Sequence, residues 1–124
     1  MPLEAYKIIH IGAVLLIFSA IGGIALHAAT GGTRQSNQAF RMIAMTHGIA
    51  VLLLVVTGFG MLARLGIARD AMSAGWVWVK LIVWIMLGGV LMIPYRRPHL
   101  ARPIFFIAPL LGLVAAAMAI YKPF

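Results

Sequence analysis

Trp76–Ile93, WVWVKLIVWIMLGGVLMI, is an 18-residue run of apolar side chains interrupted by one charge, Lys80. A helix rises about 1.5 Å per residue, so this run covers most of a hydrocarbon core about 30 Å thick. The sequence therefore predicts a transmembrane helix at residues 76–93. Three further apolar segments, at residues 5–27, 40–65 and 103–121, predict three more.

Lys80 is the unusual residue of the third segment. An ammonium group within lipid costs about 2.5–3.5 kcal/mol on insertion scales, so such a residue commonly marks a function or a partner. Trp76 and Trp84 lie four residues before and after it, on the same helical face, where a cation could rest over an indole ring. Alternatively, its long side chain could reach the headgroups from a position close to the helix start.

Composition places the chain among small membrane proteins. Of its 124 residues, 64% are hydrophobic, and the absence of Cys excludes disulfides, thiolate-ligated haem and Cys-bound iron–sulfur clusters. The net charge of +8 lies in short loops and helix ends beside apolar runs, which favours anionic lipid headgroups over nucleic acid as the partner. With two acidic residues in total, catalysis by paired carboxylates is improbable.

The connections between the apolar segments are short and polar or basic. Short connections favour antiparallel neighbours, so residues 1–124 are expected to form one domain, an all-α antiparallel four-transmembrane-helix bundle. Both termini would then lie on one face of the membrane.

Two of the four histidines are candidate metal ligands. His10 lies about 7 Å into the first helix, and Lys80 enters from the same side to a similar depth. His47 lies about 10 Å into the second helix, and Gly58 follows on nearly the same face, where it could leave space for a porphyrin edge. His47 could equally be a core residue with satisfied hydrogen bonds, whereas His10 is favoured as a ligand and His27 is expected near the headgroups or bonded to backbone.

Four strings in the chain, KIIHIG, MTHGIAVLLLVVTG, GWVWVKL and IYKPF, resemble the HemJ-type protoporphyrinogen oxidases in order and spacing. Those are small haem-binding membrane proteins, and the SirB-like and CopD-like families share their overall shape. The resemblance implies His10 as the haem ligand and Lys80 as a functionally required partner. The chain departs from the HemJ pattern in the fourth helix, where IFFIAPL lacks the usual Asn-Glu pair.

These features lead to three hypotheses of function. The first is a b-type haem-binding protein of electron transfer in a bacterial inner membrane, acting as a homo-oligomer or as a subunit of a quinone-linked membrane complex. The second is a HemJ-like oxidoreductase that uses Lys80 as a catalytic group. The third is a cofactor-free structural or regulatory subunit of the SirB-like kind. In the first two, the tetrapyrrole site would be formed by His10, His47, Gly58, Trp76, Lys80 and Trp84.

Overall fold

The computed structural model describes residues 1–124 and contains only helices, turns and loops. The six α-helices are α1 (Leu3–Ala29), α2 (Phe40–Arg64), α3 (Ala68–Met72), α4 (Gly75–Gly89), α5 (Ile93–Arg96) and α6 (Ala101–Tyr121). A single 3₁₀ turn, Pro98–Leu100, leads into α6. The predicted all-α class is therefore confirmed.

Three of these helices are long and apolar enough to cross a membrane, namely α1, α2 and the continuous segment Pro98–Tyr121 that contains α6. Large apolar side chains cover the outside of the molecule, including Ile8 at 71% and Phe106 at 67% exposure. Exposed apolar surface on this scale is stable in lipid and not in water. The chain is accordingly an integral membrane protein.

The four longer helices contact one another in the order α1, α2, α4, α6 and back to α1. Side-chain neighbours show that adjacent helices run in opposite directions. On α1 and α2, for example, residue 10 meets residues 57 and 58 while residue 23 meets residue 43. The buried core lies along α1, where Ile17, Ile21 and Ile24 are nearly inaccessible to solvent.

Helix α4 is shorter than the sequence predicts. It ends at Gly89, not at Ile93, and a non-helical turn at Val90–Met92 separates it from α5. Glycine is the poorest helix former after proline, and the pair Gly88-Gly89 is followed by Pro94, which cannot continue a helical hydrogen-bond ladder. The 15 residues of α4 span about 22 Å, less than the hydrocarbon core.

The other three helices lie close to their predicted bounds. Helix α1 extends two residues further than 5–27 at each end, α2 ends one residue before 65, and α6 begins two residues before 103. Pro103 falls in the first turn of α6, where its missing N–H would have had no intrahelical partner. The loop before α2 and the α5 segment meet at one end of the molecule, while α3 and the last three residues both contact the start of α4 at the other.

Candidate functional site

A cavity of about 430 Å³ lies among α1, α2, α4 and α6, at the end of the molecule where α3 and the last residues lie. This volume is within the usual range of about 300–1,000 Å³ for sites that bind small molecules and cofactors. Its walls are mostly apolar, with 19 hydrophobic residues among 24. Five of the six residues proposed from the sequence line it: His10, Gly58, Trp76, Lys80 and Trp84.

The His10 imidazole is held by a hydrogen bond to α2. Its Nδ1 lies 2.9 Å from Oγ1 of Thr57, and that hydroxyl is 2.6 Å from the carbonyl oxygen of Leu53. A hydroxyl carries a single proton, and the short contact assigns it to the Leu53 carbonyl. His10 Nδ1–H must then donate to Thr57, which leaves the lone pair of Nε2 free for another partner.

Lys80 is half-buried and lines the same cavity as His10. The two side chains enter the cavity from different helices, His10 from α1 and Lys80 from α4. No carboxylate is among the lining residues, because Glu4 and Asp70, the only acidic residues of the chain, are both exposed elsewhere. The ammonium group of Lys80 thus faces an apolar cavity without a negative side chain to balance it.

The tryptophans take different positions from those expected. The cation over the Trp76 ring is Lys122, whose Nζ lies 5.5 Å from the ring centroid, and not Lys80. Trp84 directs its Nε1–H to the backbone oxygen of Val51 on α2, at 2.9 Å. The helical spacing of Trp76, Lys80 and Trp84 does bring them to one cavity. The indole of Trp84 also connects α4 to α2 through this hydrogen bond.

Gly58 lies beside the His10 ring. A Cβ atom built on Gly58 would be 3.5 Å from Cε1 of His10, an ordinary van der Waals distance. The glycine therefore leaves a small gap at the edge of the imidazole and belongs to the surroundings of His10, not to those of His47.

The structure places His47 outside the cavity. The side chain is 4% exposed, and its Nε2 lies 3.0 Å from the carbonyl oxygen of Leu87 on α4. An imidazole N–H can donate to this oxygen, so Nε2 is occupied by a helix–helix hydrogen bond. His47 is consequently not part of the site that we propose below.

His27 lies at the opposite end of the molecule. Its Nδ1 is 2.8 Å from the Tyr95 hydroxyl, which also accepts a hydrogen bond from Nδ2 of Asn37 at 2.9 Å. These contacts join α1, the loop before α2 and α5. Of the two expectations for His27, the backbone hydrogen bond is replaced by a side-chain network, and the position near the headgroups stays a prediction.

Sequence reasoning did not identify Thr57 or Lys122 as members of the site. Thr57 lies one residue before Gly58 and, in the antiparallel register, opposite His10, so the depth argument could have found it. Lys122 follows α6 and enters the cavity only because the chain turns there, with a left-handed backbone at φ 47°. No periodicity in the sequence indicates that turn.

Comparison with known proteins gives no further assignment: no family model matches the chain, and no curated protein or solved structure is significantly similar to it. The resemblance to HemJ-type and SirB-like proteins accordingly stays a prediction that depends on the four sequence strings.

Proposed function

We propose that this chain is a b-type haem-binding protein of electron transfer, built as an antiparallel bundle of four transmembrane helices in a bacterial inner membrane. The observation that carries the proposal is the pairing of His10 and Lys80 in one apolar cavity, with the His10 ring held by Thr57. As a small subunit or homo-oligomer, it would exchange electrons with a quinone-linked partner.

The donor set of the cavity fits haem b. His10 Nε2 has a free lone pair, and its Nδ1–H is engaged by Thr57, the arrangement that orients histidine ligands in metal sites. Neutral imidazole is a standard axial ligand of haem iron, and ammonium groups pair with propionates. Bound in this way, haem would supply one-electron chemistry, while the residues around it bind, orient and exclude water.

The same donor set limits the site to one haem with one imidazole ligand. His47 and His27 already have hydrogen-bond partners elsewhere, and His99 is exposed in the basic turn before α6. Met61 lines the cavity and has a thioether that could complete the ligation. A site with two histidine ligands is not part of the proposal.

A HemJ-like enzyme is the second candidate, because a cavity lined by both His10 and Lys80 also suits a tetrapyrrole substrate. In that case Lys80 would be the catalytic group that handles a proton or stabilises charge beside the ring. The two candidates differ in one respect. An electron-transfer protein would not turn over protoporphyrinogen. The enzyme would turn it over as the wild type and would lose this activity, but not its haem, in Lys80→Ala.

The experiment that tests haem binding is a visible absorption spectrum of the purified protein in mild detergent, oxidised and dithionite-reduced. We expect a Soret band and reduced α and β bands that are lost in His10→Gly and retained in His99→Gly, the exposed control. Added imidazole should restore the spectrum of His10→Gly by occupying the space of the lost ring. A colourless wild-type protein with intact helical circular dichroism, even after haem addition, would refute both tetrapyrrole functions and favour the structural or regulatory subunit.

Whether α4 crosses the membrane can be tested separately by introducing single cysteines, because the chain contains none. Ser73 precedes α4 and His99 follows α5. If α4 crosses the membrane, single variants Ser73→Cys and His99→Cys should react with an impermeant thiol reagent from opposite sides. Reaction from the same side would show that α4 does not cross.

A further inference from the structure

The three residues after α6 form a second contact with α4 at the mouth of the cavity. A backbone oxygen of Phe124 accepts a hydrogen bond from the backbone N–H of Trp76 at 3.1 Å. This amide lies in the first turn of α4, where no intrahelical acceptor exists and no side chain caps the helix. The segment Lys122–Phe124 therefore supplies the missing cap.

Two further contacts fix this segment. The Phe124 ring lies directly against Gly75, so closely that a Cβ atom at Gly75 would overlap it. The Lys122 ammonium lies over the Trp76 indole, and the Lys122 backbone is in the left-handed region at φ 47°. A non-glycine residue adopts this conformation at a cost, so tertiary contacts must hold it.

These contacts place a second cation beside the first. Lys122 and Lys80 both line the cavity. The Lys122 ammonium lies over the ring of Trp76, which is about one helical turn before Lys80 on α4. No acidic side chain lines the cavity to offset two like charges. Two ammonium groups at one apolar cavity favour the binding of an anionic group there.

The geometry points to a two-lysine site, formed by Lys80 and Lys122, that binds the carboxylates of an amphiphilic ligand whose apolar body fills the cavity. Lys80 lies deeper and is half-buried, whereas Lys122 is exposed at the mouth. If the proposed function is correct, these carboxylates are the haem propionates, and the first test of the inference rests on that function. A long-chain fatty acid has the same carboxylate group on an apolar chain and is the alternative ligand.

The first test compares haem b with its dimethyl ester, in which both carboxylates are neutral. Affinities are measured by titration of the purified full chain in detergent. Exposed charge pairs contribute up to about 1 kcal/mol, or about fivefold in affinity, and partly buried ones more. We expect haem to bind at least about fivefold more tightly than the ester, and Lys122→Gln to remove most of this difference.

Lys7→Gln is the matched control, because Lys7 is an exposed lysine near the start of α1 and does not line the cavity. It should retain the preference of the wild type. Equal binding of haem and ester by the wild type, or a preference that survives Lys122→Gln, would overturn the two-lysine site and leave haem binding intact.

If the wild type binds neither haem nor the ester, the proposed function fails, and native mass spectrometry with palmitic acid and methyl palmitate decides the inference. Selective retention of the acid, lost in Lys122→Gln and kept in Lys7→Gln, would support a carboxylate site for a fatty acid. Retention of both compounds alike, or of neither, would overturn it.

Discussion

Replacement of His47 by alanine separates a structural histidine from a haem ligand. Helix α4 ends at Gly89, and no backbone amide after that residue donates to the carbonyl oxygen of Leu87. His47 Nε2 is the donor that this oxygen has. The contact is buried, so a free carbonyl there could not turn to water, and the hydrogen bond compensates for the early end of α4.

The expected loss of stability follows from that bond. Hydrogen bonds between transmembrane helices contribute about 0.6 kcal/mol on average and at most about 1.7 kcal/mol. An unsatisfied buried carbonyl costs about 1–3 kcal/mol, and the buried imidazole leaves a void when it is truncated. We therefore expect His47→Ala to lower the free energy of unfolding by about 2 kcal/mol, and His47→Gln, which retains an N–H donor, by about half as much.

The measurement is unfolding by sodium dodecyl sulfate in mixed micelles, followed by circular dichroism, with the absorption spectrum recorded on the same samples. Both His47 variants should keep the Soret band and bind haem under non-denaturing conditions. If His47→Ala changes the unfolding free energy by less than about 0.5 kcal/mol and abolishes the Soret band, His47 is a ligand and the reasoning above is wrong.

Two further predictions concern close packing and the opposite end of the molecule. A Cβ atom at Gly112 would come within 2.5 Å of the Phe18 ring, so Gly112→Ala should lower the unfolding free energy by about 1–2 kcal/mol. A Cβ atom at Gly48 would have no neighbour within 4 Å, so Gly48→Ala should raise the unfolding free energy by about 0.5–1 kcal/mol. Tyr95→Phe removes the hydroxyl that binds both His27 of α1 and Asn37 of the loop before α2. It should lower the unfolding free energy by about 1 kcal/mol and accelerate tryptic cleavage after Arg34. An unchanged cleavage rate would contradict the bridging role of Tyr95.

The all-α class could be predicted because the chain is a series of apolar runs of helical length, and the similar depth of His10 and Lys80 because depth depends on helical rise. Each residue lies a few positions inside a helix that starts at the same end of the molecule. A constant rise of about 1.5 Å per residue then places them at similar depths, whatever the details of packing. The structure brings both side chains to one cavity.

The environment of His47 could not be predicted in the same way. Its role depends on where α4 ends, and an apolar run as continuous as residues 76–93 contains no polar stop signal. The Gly-Gly pair is a weak indication, because glycine is common in transmembrane helices. Depth alone therefore made His47 a candidate ligand, whereas the end of α4 at Gly89 leaves the Leu87 carbonyl oxygen without a helical donor and available to His47.

Helix α4 depends on protein contacts more than the other three long helices do. Its 15 residues are too few to fix its depth by matching the thickness of the hydrocarbon core. It is joined to α2 by two hydrogen bonds, one donated by His47 of α2 and one donated by Trp84 of α4. The segment after α6 adds a third attachment at Trp76. Lys80 lies between these attachments, so the contacts that hold α4 also determine how close its ammonium group comes to His10. A variant that loosens α4 should accordingly weaken ligand binding even though it changes no residue of the cavity.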